Sequence, residues 1–437
     1  MNPLGALLTF AFAAVILTGS RINAVLGLLA GVCYLTQGQS IEVAGFNLTA
    51  IRILLLVAAL RVSIRREFSP LRLNRIDKVF LAYALTITVI GTLRNGLAAV
   101  AYEFGFLYNV ILSYGIVRSL VRSMGDLCSV LVGLALLIVP LAVLMTFENI
   151  THRNSFSAFG GVSSEVWIRE QAVRSMGSFR NPITAGSFGT TLAPLFAALI
   201  FSRIAIRPAL IGLLGSTAIV ITAHSSGPLM AYIFGGLALA LWHWRHQMRA
   251  IRWALVIGLV GLHLIMKAPV WFLIGRISDV VGGGGYHRAY LIDRFIREFG
   301  SWWLIGTNDT GDWMPTQLEF GTADITNQFV SDGINGGIWG LFLAILFLTR
   351  CFQGLGRSLQ PVAGASMKRE KMLWCLGVAL FVHIVNQFSV TYFDQMHVMW
   401  YFQLAVISSI TTENVSVPQE LLKSRDSLAC SVLPSPV

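Results

Sequence analysis

LCSVLVGLALLIVPLAVLMTF, residues 127–147, carries no charged side chain from end to end. At 1.5 Å per residue, a helix of this length crosses the roughly 30 Å hydrocarbon core of a bilayer. Working outward from it, comparable apolar runs are read at 3–18, 22–38, 47–62, 77–93, 98–117, 185–202, 208–224, 227–244, 252–274, 335–350, 372–390 and 395–411. The expected fold class is therefore all-α, a polytopic transmembrane helix bundle of about 12–13 spans, with the first two runs the weakest. The bulk composition agrees: of 437 residues, 55% are hydrophobic and 12% charged, and the mean hydropathy is +0.70. That balance excludes a water-soluble domain with a polar exterior. Residues 1–18 lack a basic n-region and a clear small-residue cleavage site, so they read as a span rather than a cleaved signal peptide.

Orientation follows from the connections, because short loops rich in Lys and Arg resist translocation. The basic connections are 61–78, 118–125, 203–207, 245–252 and 350–371, each separated from the next by two spans. All are expected in the cytoplasm with the tail, which carries Lys423 and Arg425, so the formal charge of +11 is explained by topology. No nucleic-acid partner is needed to account for it. The expected organisation is N-terminal helices over 1–147, a first external loop over 148–184, central helices over 185–274, a second external loop over 275–334, C-terminal helices over 335–411 and a polar, mobile cytoplasmic tail over 412–437. Cys33 and Cys128 fall in spans, Cys351 and Cys375 near the inner face and Cys430 in the tail, with no C-x-x-C spacing. Neither a disulfide framework nor a zinc site is implied, and no metal or cofactor is expected.

An ionisable group at mid-bilayer costs about 2.5–3.5 kcal/mol on insertion scales, so its depth is informative. Arg52, Glu103, His224 and Lys267 fall near the outer ends of their spans. His383, Asn386 and Gln387 approach the same end, and Asp394 and His397 lie at the outer turn between the last two. Each alone can snorkel to headgroups; together they suggest a polar cavity opening outward. Paired broken helices and midplane polar groups, the marks of a transporter, are not evident.

The two external loops hold eight arginines and no lysine. A guanidinium offers a rigid fork of donors matched to phosphate oxygens, whereas an ammonium is a point charge. In the first loop, RSMGSFRNPITAGSFG (174–189), Arg174 and Arg180 bracket small residues, and Asn181-Pro182 signals a turn before the next span. Pairing with Glu165, Glu170 or lipid phosphates is the competing reading. In the second, GGGGYHRAYLIDRFIREFGSWWLIG (282–306), a helical wheel puts Leu291, Phe295, Phe299 and Trp302 on one face. Asp293, Arg294 and Arg297 fall on the other, and Arg288 falls on the apolar face, where it needs an anionic partner. The glycine run 282–285 is weak evidence for a phosphate cradle. In DITNQFVSDGINGG (324–337), Asp324, Thr326 and Asn327 are candidates for a base or for orienting a sugar hydroxyl, with helix capping as the alternative. His224 is read as a helix break that lines the same cavity. No D-x-D occurs anywhere, so the carboxylate cue of a metal-dependent sugar-nucleotide transferase is missing.

Taken in order, Arg174-x-x-Gly177-x-Phe179-x-Asn181-Pro182, the loop around Arg288, and Thr326-Asn327 followed by the Gly333–Gly340 helix start resemble the O-antigen polymerase and O-antigen ligase superfamily of bacterial membrane glycosyltransferases. The resemblance covers most of the chain, through short and degenerate motifs. It implies a C-type glycosyltransferase-like (GT-C) fold in the bacterial inner membrane, with a large external loop carrying an amphipathic helix and an active site facing the periplasm. The implied donor is an undecaprenyl-diphosphate-linked glycan, with Arg174 and Arg288 binding the diphosphate and Arg180 as a further contact. Asp324 is the first candidate for a base and Glu103 the second; Asn181, Thr326, Asn327 and His224 are expected to orient the glycan. Ligases of the family place a histidine before the last asparagine. Thr326 stands there in this chain, which favours a polymerase of O-antigen, capsule or exopolysaccharide. A ligase acting on lipid A core or protein is the nearer alternative and a lipid-linked glycan flippase the more distant one. The partners so implied are the bilayer, the lipid-linked glycan, a chain-length regulator and a flippase.

Overall fold

A computed structural model describes all residues except 44–45, 69–72, 170, 315–322, 361–365 and 417–437. The expectations for Glu170, Lys423, Arg425 and Cys430, and for most of the tail, fall outside the described residues. The chain is built almost wholly of helices. In order these are α1 (Pro3–Thr18), α2 (Arg21–Tyr34), α3 (Ala50–Ile64), α4 (Arg75–Asn95), α5 (Val100–Leu120), α6 (Met124–Thr151), α7 (Pro182–Phe201), α8 (Ile206–Thr222), α9 (Ser226–Ala240), α10 (Met248–Ile265), α11 (Leu273–Val281), α12 (Gly285–Arg297), α13 (Phe299–Trp302), α14 (Gln328–Ser358), α15 (Met367–Gln387) and α16 (Gln395–Ser416). Two short antiparallel hairpins complete it: β1 (Ser40–Val43) with β2 (Phe46–Thr49), and β3 (Trp167–Arg169) with β4 (Ala172–Arg174).

Among the described residues, six helical segments are long and apolar enough to cross a membrane: Arg75–Asn95, Leu97–Leu120, Met124–Thr151, Pro182–Phe201, Ser226–Ile265 and Gln328–Ser358. Shorter apolar helices run over Pro3–Thr18, Arg21–Tyr34 and Ile206–Thr222. The protein is a membrane protein by this measure. Charged helix ends and polar positions inside α15 and α16 keep those two outside the same criterion.

The axis of the bundle is α7, nearly all of whose residues are buried. It packs against α8, α9 and α15. Small residues make the approach close: a side chain on Gly186 would begin 2.9 Å from Pro228, and one on Gly189 would begin 2.8 Å from the Ser216 carbonyl. Van der Waals contact between near backbones is what holds helices together where lipid supplies no hydrophobic drive. At the end that charge bias assigns to the cytoplasm, buried Asp77 ties α4, α5 and α16. It accepts from Tyr114 Oη at 2.5 Å, Ser408 Oγ at 2.6 Å and Arg118 Nε at 3.3 Å. Helix α10 is the exception to the packing, with none of its residues buried.

Two expectations are corrected. The span read at 335–350 is part of a longer helix, α14, which starts at Gln328 because Asn327 caps it, its Oδ1 accepting from Phe329 N at 2.9 Å and Val330 N at 3.2 Å. This helix is broken at Gly337, where φ is 59° and ψ is −162°, a break the sequence did not signal. The helical wheel over 282–306 also loses phase, because α12 stops at Arg297 and Glu298 separates it from α13. Leu291, Phe295 and Trp302 are buried together in a second core, Phe295 stacking on Trp302 at 3.9 Å, while Phe299 is exposed. Asp293 is buried rather than solvated, accepting from Trp271 Nε1 at 3.3 Å and pairing with Arg297 at 2.7 Å.

Candidate functional site

The segment 174–179 is fixed by buried contacts on every side. Glu148, with no exposed surface at the end of α6, accepts from the backbone amides of Met176 at 3.0 Å and Gly177 at 2.9 Å. Asn154 Nδ2 donates to the Gly177 carbonyl at 2.9 Å and Ser178 Oγ to the Cys33 carbonyl at 2.7 Å. Gly177 has a left-handed φ of 57°, and a side chain there would begin 2.9 Å from Met145, so only glycine fits without strain. Phe179 is buried against Phe188, Asn181 caps α7 by accepting from Thr184 N at 2.9 Å, and Pro182 occupies the first turn. Asn and Pro are the residues those two positions favour. The motif is thus largely a clamp, and Arg174 is the group it presents.

Arg174 is 7% exposed, and its Nε donates to the His224 carbonyl at 3.1 Å. His224 adopts a left-handed φ of 40° at the turn between α8 and α9, its Nδ1 lying 2.7 Å from the Val173 carbonyl. Its part is to hold Arg174. Arg288, in the first turns of α12, reaches the same turn: its Nη2 lies 3.4 Å from where a side chain on Gly227 would begin. Burial, with Arg169 and Arg174 repelling it, pushes the Arg288 pKa down to about 10. The group stays cationic at neutral pH, and no carboxylate among the described residues pairs with it. Two of the three predicted diphosphate-binding arginines therefore converge.

Arg169 joins them, a residue the sequence did not single out. In the β3–β4 register Trp167 faces Arg174 and Arg169 faces Ala172, so the alternation of strands puts Arg169 and Arg174 on one face of the hairpin. The glycine run is spent on packing: Gly282 ends α11, and side chains on Gly283 and Gly285 would strike Ser226 and Ser278.

Arg180 stands apart. Its exposed guanidinium lies 5.7 Å from the centre of the Phe393 ring, and it shares the electrostatic field of Asp394 with Arg52. Asp394 has a left-handed φ of 54°, and its Oδ2 is buried without a partner among the described residues. Burial raises its pKa, with Arg180 and Arg52 pulling the other way.

Asp324 is exposed, and its backbone carbonyl lies 3.1 Å from His287 Nε2, beside Arg288. Thr326 Oγ1 is buried without a partner among the described residues, and Asn327 is committed to the α14 cap. Glu103 lies elsewhere. It is 5% exposed, packs against Gly91, has Arg94 within electrostatic reach, and lines a cavity of about 260 Å³ together with Asp332. Asp332 was legible only as an acid one turn after Gln328 at the start of an apolar run. No protein-family model and no curated protein matches this chain.

Proposed function

We propose that the chain is a metal-independent membrane glycosyltransferase that joins undecaprenyl-diphosphate-linked repeats at the outer face of a bacterial inner membrane, extending a polysaccharide. The GT-C resemblance, the 12–13 span count and the periplasmic orientation belong to this reading. The observation that carries it is the meeting of Arg174 and Arg288 at the 224–227 turn, with Arg169 beside them. Guanidinium groups brought to one turn, Arg174 buried and Arg288 half-buried, offer rigid forks of donors suited to an anion carrying several oxygens. In the reaction, a hydroxyl of one glycan forms a C–O bond to the anomeric carbon of the other as the C–O bond to the diphosphate breaks. The electron pair leaves on the diphosphate, where fixed guanidinium groups stabilise the growing charge. The hydroxyl proton passes to a carboxylate; Asp324, beside the helix that carries Arg288, is the first candidate, and Glu103, in the separate cavity, the second.

The test uses lipid-linked repeat extracted from cells in which the gene for this chain is deleted, so that the natural substrate accumulates, added to purified protein in liposomes. A ladder of longer lipid-linked products is the expected outcome. Transfer only to an added lipid A core or protein acceptor, or translocation with no new bond, overturns the reading in favour of a ligase or a flippase.

A further inference from the structure

Beyond the arginines, two adjoining cavities occupy the same end of the bundle. The first, about 260 Å³, lies among α4, α5, α14 and the 388–394 loop and is lined by Glu103, Asp332, Gln328 and several aromatic rings including Tyr102 and Trp400. The second, about 310 Å³, is lined by Gln37, Asn47, Arg52, Asn109 and Asp394. They share a wall of Tyr102, Phe106, Phe393 and His397.

The acids of the first cavity are only partly spent on the fold. Asp332, 6% exposed, accepts from Tyr83 Oη and Gln328 Nε2 at 2.9 Å each, both through Oδ1. Oδ2 accepts from no described residue. Glu103, buried to a similar degree, makes no hydrogen bond to any described residue, and Gly91 leaves the room its carboxylate fills. These oxygens are not sealed in protein but open onto the cavity, where an occupant rich in hydroxyl or amine donors meets two carboxylates ready to accept. Ring faces on its walls suit an occupant with an apolar face as well, the pattern of a partly open pocket with a few placed polar groups. A lipid tail would leave both carboxylates unsatisfied. The amides of the second cavity continue the same donor and acceptor chemistry away from the first.

We infer that the paired cavities bind consecutive sugar residues of the lipid-linked glycan, with Asp332 and Glu103 accepting from hydroxyls in the first. This rests on the reading above and adds a site for the glycan distinct from the diphosphate. Gln328 couples the two regions: its Oε1 accepts from Tyr392 N at 2.9 Å, it binds Asp332, and it follows directly on Asn327.

The test is calorimetric titration of the detergent-solubilised protein with the repeat oligosaccharide released from its diphosphate by mild acid, a probe that carries no phosphate for the arginines. Hydrogen bonds to a charged group are worth about 1.5–3 kcal/mol, so Asp332→Asn and Glu103→Gln are each expected to weaken binding roughly 10- to 100-fold. Should Asp332→Asn lose its cooperative melt, Glu103→Gln carries the result. No heat from the wild type at millimolar sugar, or equal binding by the folded variants, overturns the inference. Ladder formation by the wild type in the same preparation then shows that the glycosyltransferase reading stands without it, whereas absence of a ladder removes that reading whatever the titration gives.

Discussion

Asp394 carries a readable pH signature. Its pKa is raised by burial, against the pull of Arg180 and Arg52, so between the ordinary carboxylate pKa and the raised one the folded state binds more protons at this group than the unfolded chain does. Stability from this group is then fully present below the ordinary carboxylate range and falls as pH rises through the raised value. Asp394→Asn removes that loss and suits the left-handed backbone, which asparagine tolerates. The variant is expected to melt higher than the wild type at pH 7 and with it at pH 3.5, by scanning fluorimetry; an equal difference at both pH values contradicts the assignment. The same scale shows what a single sequence discloses. Arg174 and Arg288 stood out because arginine without lysine is a chemical choice. Arg169 did not, because its place depends on a strand register, and Glu148 did not, because an acid closing an apolar helix looks the same whether it snorkels or binds two amides.

The broken helix α14 is the element that carries Gln328 and Asp332 to the first cavity. In an unbroken helix Ile338 N would donate to Ile334 O; here it donates to Trp303 O at 2.8 Å. Ile334 O is instead satisfied by Thr307 N at 2.9 Å and Arg94 Nη1 at 2.6 Å. The exchange anchors the 303–307 segment to the bundle. A residue other than glycine at 337 meets both a forbidden backbone region and the Leu304 carbonyl, 2.5 Å from where its side chain would begin. Gly337→Ala is expected to lose about 1–3 kcal/mol in unfolding, with 303–307 becoming protease-sensitive; an unchanged melt would show the break to be incidental. Apolar period and length made the helices legible. The break was not, because its bonds are made with a segment thirty residues away, and for the same reason the helical wheel lost phase at Glu298.

At the scale of the whole molecule, composition and the length of the apolar runs foretold a helical membrane protein, and the structure describes a chain built almost wholly of helices, several long and apolar enough to cross a membrane. What could not be read was which polar groups near the helix ends share a compartment, since helices distant in sequence decide that. Arg180, grouped with Arg174 by proximity in sequence, belongs to the Asp394 and Arg52 wall, while Glu103 and Asp332, more than two hundred residues apart, line one cavity. The central claim is that Arg174 and Arg288 form a diphosphate grip. Titration of the purified protein with farnesyl diphosphate, against farnesyl monophosphate as control, tests it most directly. The account predicts preferential binding of the diphosphate, weakened roughly 10- to 100-fold by either Arg174→Lys or Arg288→Lys because a lysine cannot offer two parallel bonds; equal affinity for both ligands, or lysine variants that bind as the wild type does, would contradict it.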